Sequence, residues 1–244
     1  MKVGNTMKIN SPILEGSHNT RELGGYPCKQ GKTRFNRFIR SDSICRLTAS
    51  DRELLQKKGL SLIIDLRSEF EVQFSPDPDL GVEYVNYPLL DQINSGITAE
   101  TCHFELNEMY SSLLVESSGM ILKIMNRMAE TEGCILFHCS AGKDRTGIIA
   151  MLLLDLAGVD HELIAQDYAV SSMNLNPYIQ DQLKYLKAHG ISNAEALLSS
   201  SCSQIMGTMN FIERNFKSTE NYLLRIGMNE QQIDKLKASW CTGE

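Results

Sequence analysis

A chain of 244 residues is long enough to bury a full core around one α/β domain without disulfide or metal staples. Hydrophobic residues make up 42% and charged residues 22%, as in a globular protein that lives in water, and the net charge of −6 argues against broad binding to nucleic acid or an acidic membrane surface while leaving room for a local basic pocket. The seven cysteines form no CxxC knuckle and read as free thiols of a reducing compartment; no signal-peptide core opens the chain and no apolar run reaches transmembrane length, so the expected setting is the cytoplasm, with export by other routes left open.

Residues 1–18 carry no period and read as a loose lead-in. Asn19-Thr20-Arg21-Glu22-Leu23-Gly24-Gly25-Tyr26 reads as a polar turn closing in a double glycine. In Cys28-Lys29-Gln30-Gly31-Lys32-Thr33-Arg34 a cysteine and an arginine flank five residues, but turn chemistry precedes them and no helix pattern follows. Phe38 to Asp42 is a short strand. Thr48 to Asp51 opens a helix with capping-box spacing, and Gly59 ends it. Ser61 to Ser68 is a buried strand whose polar residues come only at its carboxyl end. Ligands of open α/β sheets sit beyond such ends, so Asp65 and Arg67 either approach a site or pair to brace neighbouring loops. Val82 to Tyr87 alternates like a strand and leaves through Pro88 to Asp91. Residues 92–106 form a polar excursion. Asn107 to Val115 and Met120 to Met128 have helical periodicity, broken at Ser117-Ser118-Gly119; Met109, Met120, Met125 and Met128 read as core filler, the alternative being a lid over a pocket.

Cys134 to Leu154 organises the rest. An apolar run of strand length ends at His138-Cys139, a loop of small residues follows, and an apolar helix pattern runs from Arg145 to Gly158. A loop between a buried strand and a helix N-terminus aims several amides and the positive end of the helix dipole at one small volume, which suits an oxyanion. Ser140, Ala141, Gly142 and Lys143 would supply the amides, and Arg145 a planar fork matching two phosphate oxygens. The same donors stabilise a thiolate at Cys139, to which Thr146 could add a hydrogen bond. The chemistry implied is thiolate attack on a phosphoester, then hydrolysis of a phosphocysteine. Expelling the leaving oxygen needs an acid, and Asp144 stands in the loop itself. Lys143 is either a solvated lysine or a contact to a second anionic group. His138 reads as a buried residue ordering the loop.

His138 to Gly147 resembles the signature loop of the cysteine-dependent tyrosine phosphatase superfamily. Lys143-Asp144 is similar to its bacterial tyrosine and lipid phosphatase branch; the archetypal members usually carry glycine where Asp144 stands. The resemblance implies that Cys139 is the nucleophile, Arg145 the phosphate clamp and Ser140 to Lys143, with Thr146 and Gly147, the phosphate-binding frame. That branch carries a segment like Asn19 to Gly25, which makes Arg21 a candidate supporting residue, and an Asp-Leu-Arg like Asp65 to Arg67. In archetypal members an aspartic acid on a mobile loop is the general acid. Asp91 is the counterpart here, but the tryptophan of that loop is missing, so Asp144 and Asp91 both stay open.

Beyond Gly158 the chain reads as successive amphipathic helices, with starts at Asp160 and Asn176-Pro177 and stops at Gly190 and Gly227. The expected architecture is a single α/β domain over 1–244: a lead-in and loop (1–30), a core with a central, mostly parallel four- to five-stranded sheet flanked by helices (31–158), and a helical C-terminal portion (159–244). The expected substrate is protein phosphotyrosine, with a phosphoinositide or dual activity as the alternative, and no cofactor or metal is called for. A nucleotide-binding P-loop is excluded, because Gly142-Lys143 is followed by Asp144 and not Ser or Thr. A thiol redox enzyme would need Cys134 to reach Cys139 along one strand. An inactive phosphate-binding module is the remaining rival.

Overall fold

The computed structural model describes residues 11–89, 106–189 and 194–242. Strands Arg21–Glu22 (β1), Pro27–Cys28 (β2), Gly31–Thr33 (β3) and Phe38–Ser41 (β4) come first. Helix Ala49–Lys57 (α1), strand Leu60–Asp65 (β5), helix Glu69–Phe74 (α2) and strand Glu83–Asn86 (β6) follow. Helices Leu106–Glu116 (α3) and Ser118–Glu130 (α4) precede strand Cys134–His138 (β7) and helix Arg145–Ala157 (α5). His161–Asn174 (α6), Asn176–Ala188 (α7), Ala194–Leu198 (α8), Cys202–Phe216 (α9), Thr219–Ile226 (α10) and Glu230–Trp240 (α11) lead to a last strand, Cys241–Thr242 (β8).

The main sheet has the order β1-β4-β7-β5-β6, parallel except for β1 at the edge. β7 is central, and all five of its residues are buried, as the continuous apolar run required of a strand covered on both faces. Alternation sorts its side chains. Cys134 and Leu136 join Ile39, Ile63 and Leu55 under α1, whereas Ile135, Phe137 and Cys139 face α5 and the helical layer. Eleven of the thirteen residues of α5 are buried, which makes it a core helix, apolar all round rather than striped. Each of its fully buried Leu and Ile side chains contributes about 1.5–3 kcal/mol relative to exposure.

The register sets Ser41, His138 and Asp65 side by side at the carboxyl ends of β4, β7 and β5, and the loops that leave there build the site. On the far side β8 pairs with β3, and Trp240 packs edge-on to Phe38 with ring centroids 5.0 Å apart.

The stretch read as a turn over residues 19–26 contains β1, a two-residue strand on β4 too short for alternation to reveal. The Cys28 to Arg34 segment is the β2–β3 hairpin. Met109, Met125 and Met128 are buried in the core, so the inner faces of α3 and α4 carry core, not a lid. α2 has no counterpart in the sequence reading, because six residues are less than two turns. Asp91 and Gly190 lie outside the described residues.

Candidate active site

Residues 139–144 connect β7 to α5. Gly142 has φ +65°, and a Cβ there would lie 2.5 Å from the backbone of Ser41 and Asp42, so the loop rests on the end of β4 in a way only glycine permits. The loop carbonyls are bound from outside. Asn19 Nδ2 donates to Ala141 O (3.0 Å) and Gly142 O (3.1 Å), Arg40 Nη2 donates to Gly142 O (2.8 Å), and the Ser43 amide donates to Ser140 O (3.1 Å). Carbonyls fixed on the outer side turn the peptide N–H groups to the concave side, where an anion can collect them.

A buried ionic layer holds those donors. Asp167 on α6 takes Arg21 Nε (2.9 Å), Arg40 Nη1 and the Tyr26 hydroxyl (3.0 Å). Burial pushes its carboxyl up, but the Arg21 and Arg40 guanidinium groups win, and it sits at about 2. Arg21 also donates to Asn19 Oδ1 at 2.6 Å and to the Asp167 carbonyl at 2.7 Å. It is fully buried behind the loop, two contacts removed from the concave face.

Arg145 is held from the other side. Arg145 Nη1 and Nη2 donate to Glu71 Oε2 and Oε1 at 2.7 and 2.8 Å, a fork-to-fork pair, and Ser140 Oγ donates to Oε1 at 2.6 Å. Glu71 also caps its own helix, accepting the Ser68 amide at 2.9 Å. Burial alone would raise this carboxyl; the bonds from Arg145 and Ser140 hold it well below the usual carboxylate range.

Asp144 does not point into open water. Its Oδ1 accepts from the Tyr110 hydroxyl on α3 and lies 3.3 Å from Lys143 Nζ. Lys143 is only 4% exposed and donates to Ser199 O at 3.0 Å, so it is no solvated rim lysine. Thr146 is buried, and its hydroxyl makes no hydrogen bond among the described residues, so the bond to the Cys139 sulfur drawn from the sequence is not made.

A buried thiol at the strand end, an amide cradle tied from outside and a carboxylate-locked arginine form one constellation. The model of the tyrosine phosphatase family matches residues 12–242. The chain belongs to that family. A tyrosine-protein phosphatase of Nostoc commune is 33% identical over 224 residues, covering 86% of this chain and 76% of its own. The triple specificity protein phosphatase PtpB of Mycobacterium tuberculosis is 30% identical over 171 residues, 57% of this chain and 62% of that protein. Among solved structures, P. aeruginosa TpbA aligns at 16% identity with a TM-score of 0.35, over 67% of this chain and 86% of that one. Family membership and the curated relatives make the chain a phosphatase.

Within this tyrosine phosphatase the Asp65–Arg67 pair lies one layer behind the cysteine. Arg67 Nη2 donates to Asp65 Oδ2 and to Asp77 Oδ2, both at 2.7 Å, and Tyr84 donates to Asp65 Oδ2 at 2.8 Å. His138 is fully buried with Nε2 3.0 Å from Asp77 Oδ2 and 3.8 Å from Asp65 Oδ1. Asp65, Asp77 and His138 have the spacing of a metal triad, but the Arg67 guanidinium already occupies both carboxylates. Cys134 is on the opposite sheet face from Cys139, and burial pushes its thiol up to about 12, which leaves it unfit as a resolving cysteine. A cavity of about 470 Å³ opens beside Ser140, Ala141 and Glu71, with Phe70, Phe74 and Ile179 among its walls; a cavity of about 550 Å³ lies at the other end of α5, away from Cys139.

Proposed function

We propose that this phosphatase hydrolyses protein phosphotyrosine through a phosphocysteine intermediate. The reading is carried by one observation: the loop's outer carbonyls are tied by Asn19, Arg40 and Ser43, while Arg145 is fixed by Glu71, so the donors for a phosphoryl group are set before substrate arrives. The Cys139 thiolate attacks phosphorus, and the phenolic oxygen leaves with a proton from Asp144. Water then attacks the phosphocysteine, giving its proton to the Asp144 carboxylate and releasing inorganic phosphate. Amides and a guanidinium supply the charge, so no metal is needed.

The alternative, a phosphoinositide substrate, draws support from the Lys143-Asp144 loop and from a relative named as triple specificity. Against it, Lys143 is turned inward to Ser199 and Asp144 and does not offer its charge to a second phosphate. The aromatic and aliphatic walls of the cavity beside the loop favour a peptide carrying an aromatic ester. The pairing of β3, ahead of the main sheet, with β8, after the last helix, supports one catalytic domain, and the free thiols of the described cysteines support a cytoplasmic setting.

Phosphate release should be measured with chelator present, from a phosphotyrosine peptide, a phosphoserine peptide and phosphoinositide vesicles, with Cys139→Ser as control. Fastest release from phosphotyrosine, lost in the variant, is the expected result. Preference for the vesicles would move the reading to lipid; binding without release would make the protein a recognition module.

A further inference from the structure

A hydroxyl and an amine meet at one carboxylate oxygen, and a second hydroxyl stands behind the first. Tyr110 of α3 donates to Asp144 Oδ1, Tyr168 of α6 has its hydroxyl oxygen 2.6 Å from that of Tyr110, and Lys143 Nζ stands 3.3 Å from the same Oδ1. A tyrosine has one hydroxyl proton, and a carboxylate can only accept. Tyr110 therefore gives its proton to Asp144 and accepts the proton of Tyr168, which sets the direction of the whole chain. The two rings cross edge to face with centroids 6.2 Å apart, and each is about 1% exposed. Burial first, and the charge of Asp144 second, push both phenols above their ordinary value, so they stay neutral donors throughout the working pH range. The signature loop itself makes room for this pair: a Cβ on Gly147 would lie 3.1 Å from Tyr168 Cδ2.

We propose that Tyr110, backed by Tyr168, is the positioning residue of the proton-transfer step. Both donors to Asp144 engage Oδ1, which fixes the plane of the carboxyl group and leaves Oδ2 as the oxygen that handles the catalytic proton. In the first step the S–P bond forms, the ester O–P bond breaks, and the departing oxygen takes the proton from Oδ2. In the second, the water O–P bond forms, the S–P bond breaks, and Oδ2 takes the water proton. Tyr110 touches neither substrate nor sulfur in this scheme; it acts through Asp144. The inference rests on Asp144 being the general acid.

Leaving-group dependence separates positioning from mere packing, because a good leaving group departs without a proton. Turnover should be measured for 2,4-dinitrophenyl, p-nitrophenyl and phenyl phosphate with the wild type, Asp144→Asn, Tyr110→Phe and Tyr168→Phe. The expected result for Tyr110→Phe is a kcat/KM on phenyl phosphate down by roughly tenfold and a kcat/KM on the dinitrophenyl ester within about twofold of wild type, since kcat/KM reads the leaving-group step alone. Tyr168→Phe, which keeps the direct donor, should show the same pattern at smaller size, and it carries the test if Tyr110→Phe folds poorly. A steep dependence in Asp144→Asn with a flat one in both tyrosine variants would overturn the positioning role alone. A flat dependence in Asp144→Asn as well would remove the general acid on which it rests.

Discussion

Cys28 to Arg34 and Cys139 to Arg145 place the same two residues at the same spacing, yet one is a hairpin and the other the loop proposed as an anion cradle. In the hairpin, Cys28 faces Gly31 across two short strands, and the Arg34 amide is taken by Trp240 O at 2.8 Å. In the cradle, the cysteine ends a strand buried on both faces, Gly142 presses onto β4, and a core helix begins at the arginine. The pattern of cysteine and arginine is local, but what makes it a site is remote. Asn19 and Arg40 bind the carbonyls and Glu71 binds the guanidinium, from 74 to 123 residues away in sequence. Spacing selects candidates, and outside donors decide between them.

The largest expected effect separates the two cysteines directly. Cys139→Ser should abolish turnover of p-nitrophenyl phosphate, while Cys28→Ser should stay within about twofold of wild type, since a half-buried hairpin thiol takes no part in the chemistry. Residual turnover in Cys139→Ser would remove the nucleophile assignment. Next come the glycines. Gly142→Ala must fit a Cβ against backbone 2.5 Å away at φ +65°, so it should cost about 3 kcal/mol in a urea melt and most of the activity; Gly31→Ala, at φ +117° in the hairpin, should cost about 1 kcal/mol and leave kcat alone. Equal losses of activity at both positions would mean that the hairpin, too, shapes the site. Glu71→Gln keeps the shape of the side chain but removes the charge from the fork on Arg145. A drop in kcat/KM of roughly 30-fold, about 2 kcal/mol, is expected, and an unchanged kcat/KM would mean that Arg145 needs no external lock.

What the sequence made legible was local. The run Cys134 to Phe137, the loop through Gly147 and the helix to Gly158 each carry their own signal within ten or fifteen residues, and the parallel sheet follows from strands alternating with helices. Glu71 was readable in principle as the fourth residue of a Ser68-x-x-Glu71 capping box, but nothing in that pattern points at Arg145. Arg40, Tyr110, Asp167 and Tyr168 had no local mark at all: a charge in a short strand and polar residues on long helices look like solvated positions until packing buries them. Lys143 illustrates the opposite case. Its place in a loop of small residues reads as exposed, and only the carbonyl of Ser199, brought in from the helical tail, turns it inward.

The smallest effect tests whether the hairpin contributes anything to the cradle, and the group that would carry it is Tyr26 at the hairpin's start, not Cys28. Tyr26 donates to Asp167 Oδ1 at 3.0 Å, and Asp167 holds the Arg21 and Arg40 side chains that bind Asn19 and the loop carbonyl. The Asp167 carboxyl at about 2 lies below an unfolded value of about 3.9, so the stability it contributes is present in full above that unfolded value and is lost as pH falls toward 2. A bond to the ionised form belongs to the same window. Tyr26→Phe should therefore lower the unfolding free energy by about 1 kcal/mol at pH 7, and the gap from wild type should narrow as the pH is brought down toward 2, because both proteins then carry a protonated Asp167. Urea midpoints measured across that range read the gap directly. A gap that is the same at every pH would mean that Tyr26 stabilises by packing alone, and the hairpin would then be structurally independent of the charge layer beneath the cradle.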